Sequence, residues 1–112
     1  SEIVALNTTD WRKEANALIN KIVRNMGGTA EAHKDTRSAI FEEVNRRAGV
    51  SLETRLTNKR RRMADEGASK SKRDGLTKVD VISDDKKLVE IYVAVVKEFA
   101  IKYGVYKKEM AK

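Results

Sequence analysis

The sequence predicts an all-α single domain of four to five helices, and three observations carry that prediction. The chain has 112 residues and no proline, so the strongest helix breaker is missing and glycine is the main punctuation. Between the glycines, apolar residues recur at helical spacing. The last third of the chain runs for about 20 residues without a turn signal, which predicts a long apolar C-terminal helix.

The first helix is read from Trp11, Ala15, Leu18, Ile19, Ile22, Val23 and Met26, whose spacing traces one helical face. Thr8 or Thr9 is expected to cap it, Asp10 suits its positive end, and Gly27-Gly28 stops it. A second helix is expected from Ala30 to Ala48, capped by Thr29 and stopped by Gly49. Its apolar residues Ile40, Phe41, Val44 and Ala48 lie in the second half, and the polar first half, Glu31 to Ser38, admits a loose turn instead.

Ser51 is placed to cap a third helix with a narrow stripe of Leu52, Leu56 and Met63, closed by Gly67 in a left-handed conformation. Ser69 would then cap a short fourth helix from Lys70 to Leu76. Lys78 to Ile82 is β-branched and short, and reads as an extended bridge or linker. Ser83 with Asp84 and Asp85 marks the start of the final helix. There Leu88, Ile91, Tyr92, Val95, Phe99 and Tyr103 share a face that Val89, Val93, Val96 and Ala100 widen. Such breadth requires burial on two sides, inside the domain or against a second copy. One domain over residues 1–112 is expected, ordered from about residue 8 to residue 105. The first residue is not methionine, which is the expectation for a fragment or processed chain.

Composition excludes several classes of chemistry. With no cysteine there are no disulfides, no thiolate nucleophile and no cysteine-containing zinc site. No apolar run reaches the roughly 18 residues of a membrane span. The N-terminus is acidic where a signal peptide would be basic. His33 is the single histidine and is expected to be solvated, so no metal site and no general base are expected. The adjacent pairs Glu42-Glu43 and Asp84-Asp85 diverge around a helix rather than converge. Gly27-Gly28 lacks the Lys-Ser/Thr of a phosphate loop. The sequence thus reads as a non-enzyme with no cofactor and no small-molecule substrate.

Charge supplies the positive signal. The net charge is +7, and the window from Arg55 to Lys78 holds nine basic residues against three acidic ones. Residues 1–54 balance at eight each, and residues 79–112 carry seven basic against six acidic. A polyanion or an acidic protein face is the natural partner for such a concentration. On the third helix Arg55, Lys59 and Arg62 share one face, with Asn58 and Arg61 alongside. Guanidinium groups match phosphate oxygens bidentately, and an amide such as Asn58 can read a base edge. Beyond Gly67, Ser69, Lys70, Lys72 and Arg73 place hydroxyl and basic groups at a helix start, the outline of a helix-turn-helix. The alternatives are a solvated basic face, or arginines paired internally with Glu42, Glu43, Glu53 and Glu66. On the final helix Leu88, Tyr92, Val93, Val96 and Phe99 form a candidate dimer interface, with simple core as the competing reading.

Several short runs together resemble one family. They are Asp10-Trp11-Arg12-Lys13-Glu14, Gly27-Gly28, Arg55-Leu56-Thr57-Asn58, Gly67-Ala68-Ser69-Lys70, Lys78-Val79-Asp80-Val81-Ile82, and the closing Glu90-Ile91-Tyr92, Val96-Lys97-Glu98 and Ile101-Lys102-Tyr103. In that order, from about Asp10 to Tyr103, they resemble the helical C-terminal domain of Gram-positive phage and prophage antirepressor proteins, which follows a BRO-like or KilA-N-like DNA-binding domain. The resemblance implies a role in phage transcription regulation, in the cytoplasm of a bacterial host. It implies DNA or a phage repressor protein as partner, and carries over no individual binding residue. A homodimerisation or scaffold domain without nucleic-acid contact is the alternative.

Overall fold

A computed structural model describes residues 10–107 and shows six helices, with no strand among the described residues. These are α1 (Trp11–Asn25), α2 (Ala30–Ala48), α3 (Leu52–Asp65), α4 (Lys70–Asp74), α5 (Lys78–Ser83) and α6 (Lys86–Lys102). The all-α expectation holds; the count is six rather than four to five, because the segment at Lys78 is helical.

Helices α1, α2 and α6 pack on one another as a three-helix bundle. Tyr92 of α6 is their common centre. It meets Trp11 of α1 edge-on at 5.9 Å and stacks on Phe41 of α2 at 6.2 Å. Burial there pushes the Tyr92 hydroxyl above its ordinary pKa. The second part of the fold hangs from α5, which packs on both α6 and α3, while α4 lies on α3. Val81 and Ile82 of α5 are buried with Leu52, Leu56 and Leu88, so one apolar core runs through both parts.

Local chemistry explains most boundaries. Thr29, Ser51 and Ser69 each accept a hydrogen bond from a backbone N–H of the first turn that follows. Asp10 stands at the N-cap of α1 without a side-chain bond, and Thr8 and Thr9 lie outside the described residues. Helix α3 ends in a Schellman turn: Gly67 N–H reaches Ala64 C=O at 3.0 Å and Ala68 N–H reaches Met63 C=O at 2.9 Å. Gly67 has φ +92°, which only glycine adopts without strain. Asn45 spans the next corner, its Oδ1 accepting Leu52 N–H at 2.9 Å, and so fixes where α3 leaves α2.

Helix α2 runs from Ala30 to Ala48 as expected, its first half helical, and Thr36 within it is buried, donating to Met26 Sδ at 3.4 Å. Three local expectations change. Helix α4 stops at Asp74 rather than Leu76. Lys78 to Ile82 is helical rather than extended, because Thr77 and Asp80 form a reciprocal capping box. Asp80 Oδ2 accepts Thr77 N–H at 2.8 Å and Thr77 Oγ1 accepts Asp80 N–H at 3.3 Å. Burying Val81 and Ile82 outweighs the few tenths of a kcal/mol by which β-branched residues disfavour helix. Ser83 belongs to α5, and Asp85 is the N-cap of α6, accepting from Lys87 N–H at 2.9 Å and Leu88 N–H at 3.4 Å.

Of the candidate dimer residues, Leu88, Tyr92, Val93 and Val96 are buried in this chain's own core, and Phe99 is half-buried. The two-sided burial that α6 demands is met by α1 and α2. These five residues therefore do not make a free face for a second copy. None of the helices is long and apolar enough to cross a membrane among the described residues.

Candidate nucleic-acid interface

Helix α3 is amphipathic in charge as well as in hydropathy. Leu52 and Leu56 anchor one side in the core, and Thr54, Thr57, Asn58 and Arg61 are exposed on the other. Between these sides runs a flank of Arg55, Lys59 and Arg62 that faces the corner between α5 and α6. A groove of about 480 Å³ lies there, lined by Arg55, Asn58, Lys59 and Arg62 of α3 and by Val81, Asp84, Asp85 and Lys86 across it. Four of the nine proposed binding residues, Arg55, Asn58, Lys59 and Arg62, are thus brought together as their spacing predicts.

The groove contains both signs of charge. Lys59 Nζ pairs with Asp84 at 2.6 Å, and Arg55 pairs with Asp85 at 3.4 Å. Reading Asp84 and Asp85 as helix-start residues alone misses this role. Their position opposite a basic helical face appears only once α5 folds the chain back. Arg62 and Lys86 also line the groove, and neither has a carboxylate partner among the described residues. Counting lining side chains, four cations face two carboxylates.

The remaining basic residues divide by job. Arg60 is half-buried and donates through Nε to Arg73 C=O at 3.1 Å and through Nη2 to Leu76 C=O at 3.0 Å. Arg73 is also half-buried and donates to Ala68 C=O at 3.2 Å. Both tie the α3–α4 hairpin together, so Arg73 is a structural residue rather than part of an open surface. Lys70 pairs with Asp74 at 2.6 Å and holds that carboxyl below its usual range. Lys78 pairs with Glu53 at 3.3 Å. Arg61 reaches Asn58 Oδ1 at 3.4 Å. Arg61 and Lys72 are exposed and, like Arg62, have no carboxylate partner among the described residues.

Internal pairing therefore occurs, but mostly not with the expected acids. Glu53 takes Lys78; Glu43 is taken by Arg46 at 2.5 Å and Arg47 at 2.6 Å, outside the basic window. Those two arginines push Glu43 down to about 2.

The helix-turn-helix outline is present in order but not in proportion. Helix α4 has five residues, about 7.5 Å of axis, and none of them is buried. Ser69 Oγ is occupied by Lys72 N–H at 3.2 Å as the cap. A groove about 12 Å wide calls for more presented helix than that; α3, by comparison, has 14 residues.

His33 is half-buried rather than solvated, and its Nε2 accepts from Arg37 Nε–H at 3.4 Å. No group of three or more His, Asp or Glu residues is placed to hold a metal ion among the described residues. Compared with protein-family models, curated proteins and solved structures, the chain matches none.

Proposed function

We propose that this chain is a non-catalytic interaction module that grips a polyanion, duplex DNA first of all, along the exposed flank of α3, within a phage-type transcriptional regulator of the antirepressor kind. The observation that carries the reading is the pair Arg61 and Arg62 on a capped helix, neither with a carboxylate partner among the described residues, flanked by Arg55, Lys59 and Lys86. A guanidinium presented from an ordered helix can meet phosphate oxygens bidentately. Asn58 stands beside them at a position suited to a base edge. The phage setting rests on the ordered resemblance from Asp10 to Tyr103, and the binding face rests on geometry. Titrating labelled duplex DNA by fluorescence anisotropy tests the reading. Binding that weakens steeply with salt is expected; no binding even at low salt would remove it.

A repressor protein is the second reading, favoured by Asp84 and Asp85, which give the groove a mixed-charge lining suited to a protein face. Co-purification of the chain with the cognate repressor, unaffected by nuclease, is its expected signature.

A further inference from the structure

On the other side of α5 lies a second concavity, of about 440 Å³, lined by Arg12 and Asn16 of α1, Arg37 and Phe41 of α2, and the stretch from Thr77 to Val79. Three cations and no carboxylate line it. Two of them, Arg12 and Lys78, pair with acids that stand outside the pocket, Asp80 at 3.0 Å and Glu53 at 3.3 Å.

Arg37 is different. It is half-buried and has no carboxylate partner among the described residues. Neutral groups hold it instead. Its Nη2 donates to Asn16 Oδ1 at 3.0 Å and its Nε to His33 Nε2 at 3.4 Å. A guanidinium has five N–H donors, so three remain for a ligand. Drawing an arginine partly out of water without a counter-ion is costly. A pocket that orients one by two neutral acceptors beside two further cations is built to receive an anion. Phe41 and Val79 supply apolar lining, and Lys78 lies 5.5 Å over the Phe41 ring, so charge and apolar surface stand side by side in the pocket.

We infer that this pocket binds the oxyanion of a small molecule, a phosphate monoester or carboxylate carried on an apolar body, with Arg37 as the anchor and Arg12 and Lys78 at the rim. The site is separate from the α3 face and does not depend on what that face binds. Its volume falls within the range of small-molecule sites. Neither Arg12 nor Arg37 belongs to the basic window of the sequence; only the packing of α1, α2 and α5 brings them together.

The test is a ¹⁵N NMR titration at constant ionic strength, following the Arg37 Nε–H signal and the amides of Phe41, Thr77 and Val79. Phenyl phosphate, benzoate and inorganic phosphate are the probes. Saturable shifts confined to these groups are expected for phenyl phosphate or benzoate, with Kd on the order of 1 mM. Inorganic phosphate alone should bind more weakly, because it leaves the apolar lining uncovered. Arg37→Gln should weaken binding about tenfold or more. The rim variant Arg12→Gln/Lys78→Gln, which leaves Arg37 and its partners Asn16 and His33 in place, should weaken it less, whereas Arg62→Gln should leave it unchanged. Shifts that stay linear with concentration, that spread equally over α3, or that persist undiminished in both pocket variants would overturn the proposal.

Discussion

Arg60 and Arg62 of α3 are two residues apart and equally charged, yet the fold gives them different work. Arg60 donates to the carbonyls of Arg73 and Leu76 at the end of α4, while Arg62 lines the open groove. Arg60→Ala takes the donor shown for the Leu76 carbonyl and leaves the Arg73 carbonyl with the Leu76 N–H, and should cost about 1–3 kcal/mol in urea unfolding. Arg62→Ala should change stability by no more than about 0.5 kcal/mol. Equal effects in the two variants would contradict this division. From the sequence, the cluster Arg60-Arg61-Arg62 is legible as charge but not as a division of labour. The deciding facts are the carbonyls that Arg60 meets, and these belong to residues 13 and 16 positions away. Arg37 was hidden for a related reason: its isolation from carboxylates is visible only when α1, α2 and α6 are assembled around it.

The helices themselves were largely readable. Caps at Thr29, Ser51 and Ser69 and the glycine stops at Gly49 and Gly67 fall where the residue types demand. Helix α5 is the exception. Its Val79, Val81 and Ile82 speak for extended chain, and the signal against them is the Thr77-x-x-Asp80 spacing, with Asp in place of the usual Glu or Gln. Thr77→Ala should therefore destabilise the fold by about 1 kcal/mol, with faster amide exchange concentrated in α5. Asp80→Ala should cost more, because Asp80 also pairs with Arg12 at 3.0 Å. Burial raises the Asp80 pKa, but the Thr77 N–H and Arg12 together hold it below its usual range. Helix α6 was legible as a doubly buried element but not as to what covers it. Since α1 and α2 do, Val93→Asp should abolish cooperative thermal unfolding, whereas Ala94→Asp on the exposed side should leave it intact. A folded Val93→Asp variant whose only change is a smaller particle in sedimentation would instead restore the dimer reading.

At the scale of the whole molecule, charge both closes the bundle and opens a surface. Arg47 bridges Glu43 on its own helix and Glu98 on α6, at 2.6 and 2.5 Å. Glu43 is held down to about 2 by Arg46 and Arg47, and Arg47 also lowers Glu98. A carboxylate whose pKa is lower folded than unfolded adds stability above its unfolded value, near 4.5, and that stability is lost as pH falls toward 2. The contribution is small at so accessible a site. Unfolding free energy measured across that range should fall less steeply in Glu43→Gln than in the unaltered chain; an unchanged slope would show that the bridge carries no pH dependence.

The excess of positive charge, by contrast, is left over after such pairs are made, and Arg61 and Arg62 on α3 are exposed with no carboxylate partner among the described residues. The most direct measurement is the dependence of duplex-DNA affinity on salt for Arg61→Gln/Arg62→Gln, compared with Lys13→Gln/Lys21→Gln, which removes the same charge from exposed positions of α1. If α3 grips phosphates, the slope of log K against log salt should shrink by about 2 in the α3 variant, roughly 0.9 per lost contact, and stay unchanged in the α1 variant. Equal slopes in the two variants would mean that the chain attracts DNA by net charge alone, and that α3 is not its binding face.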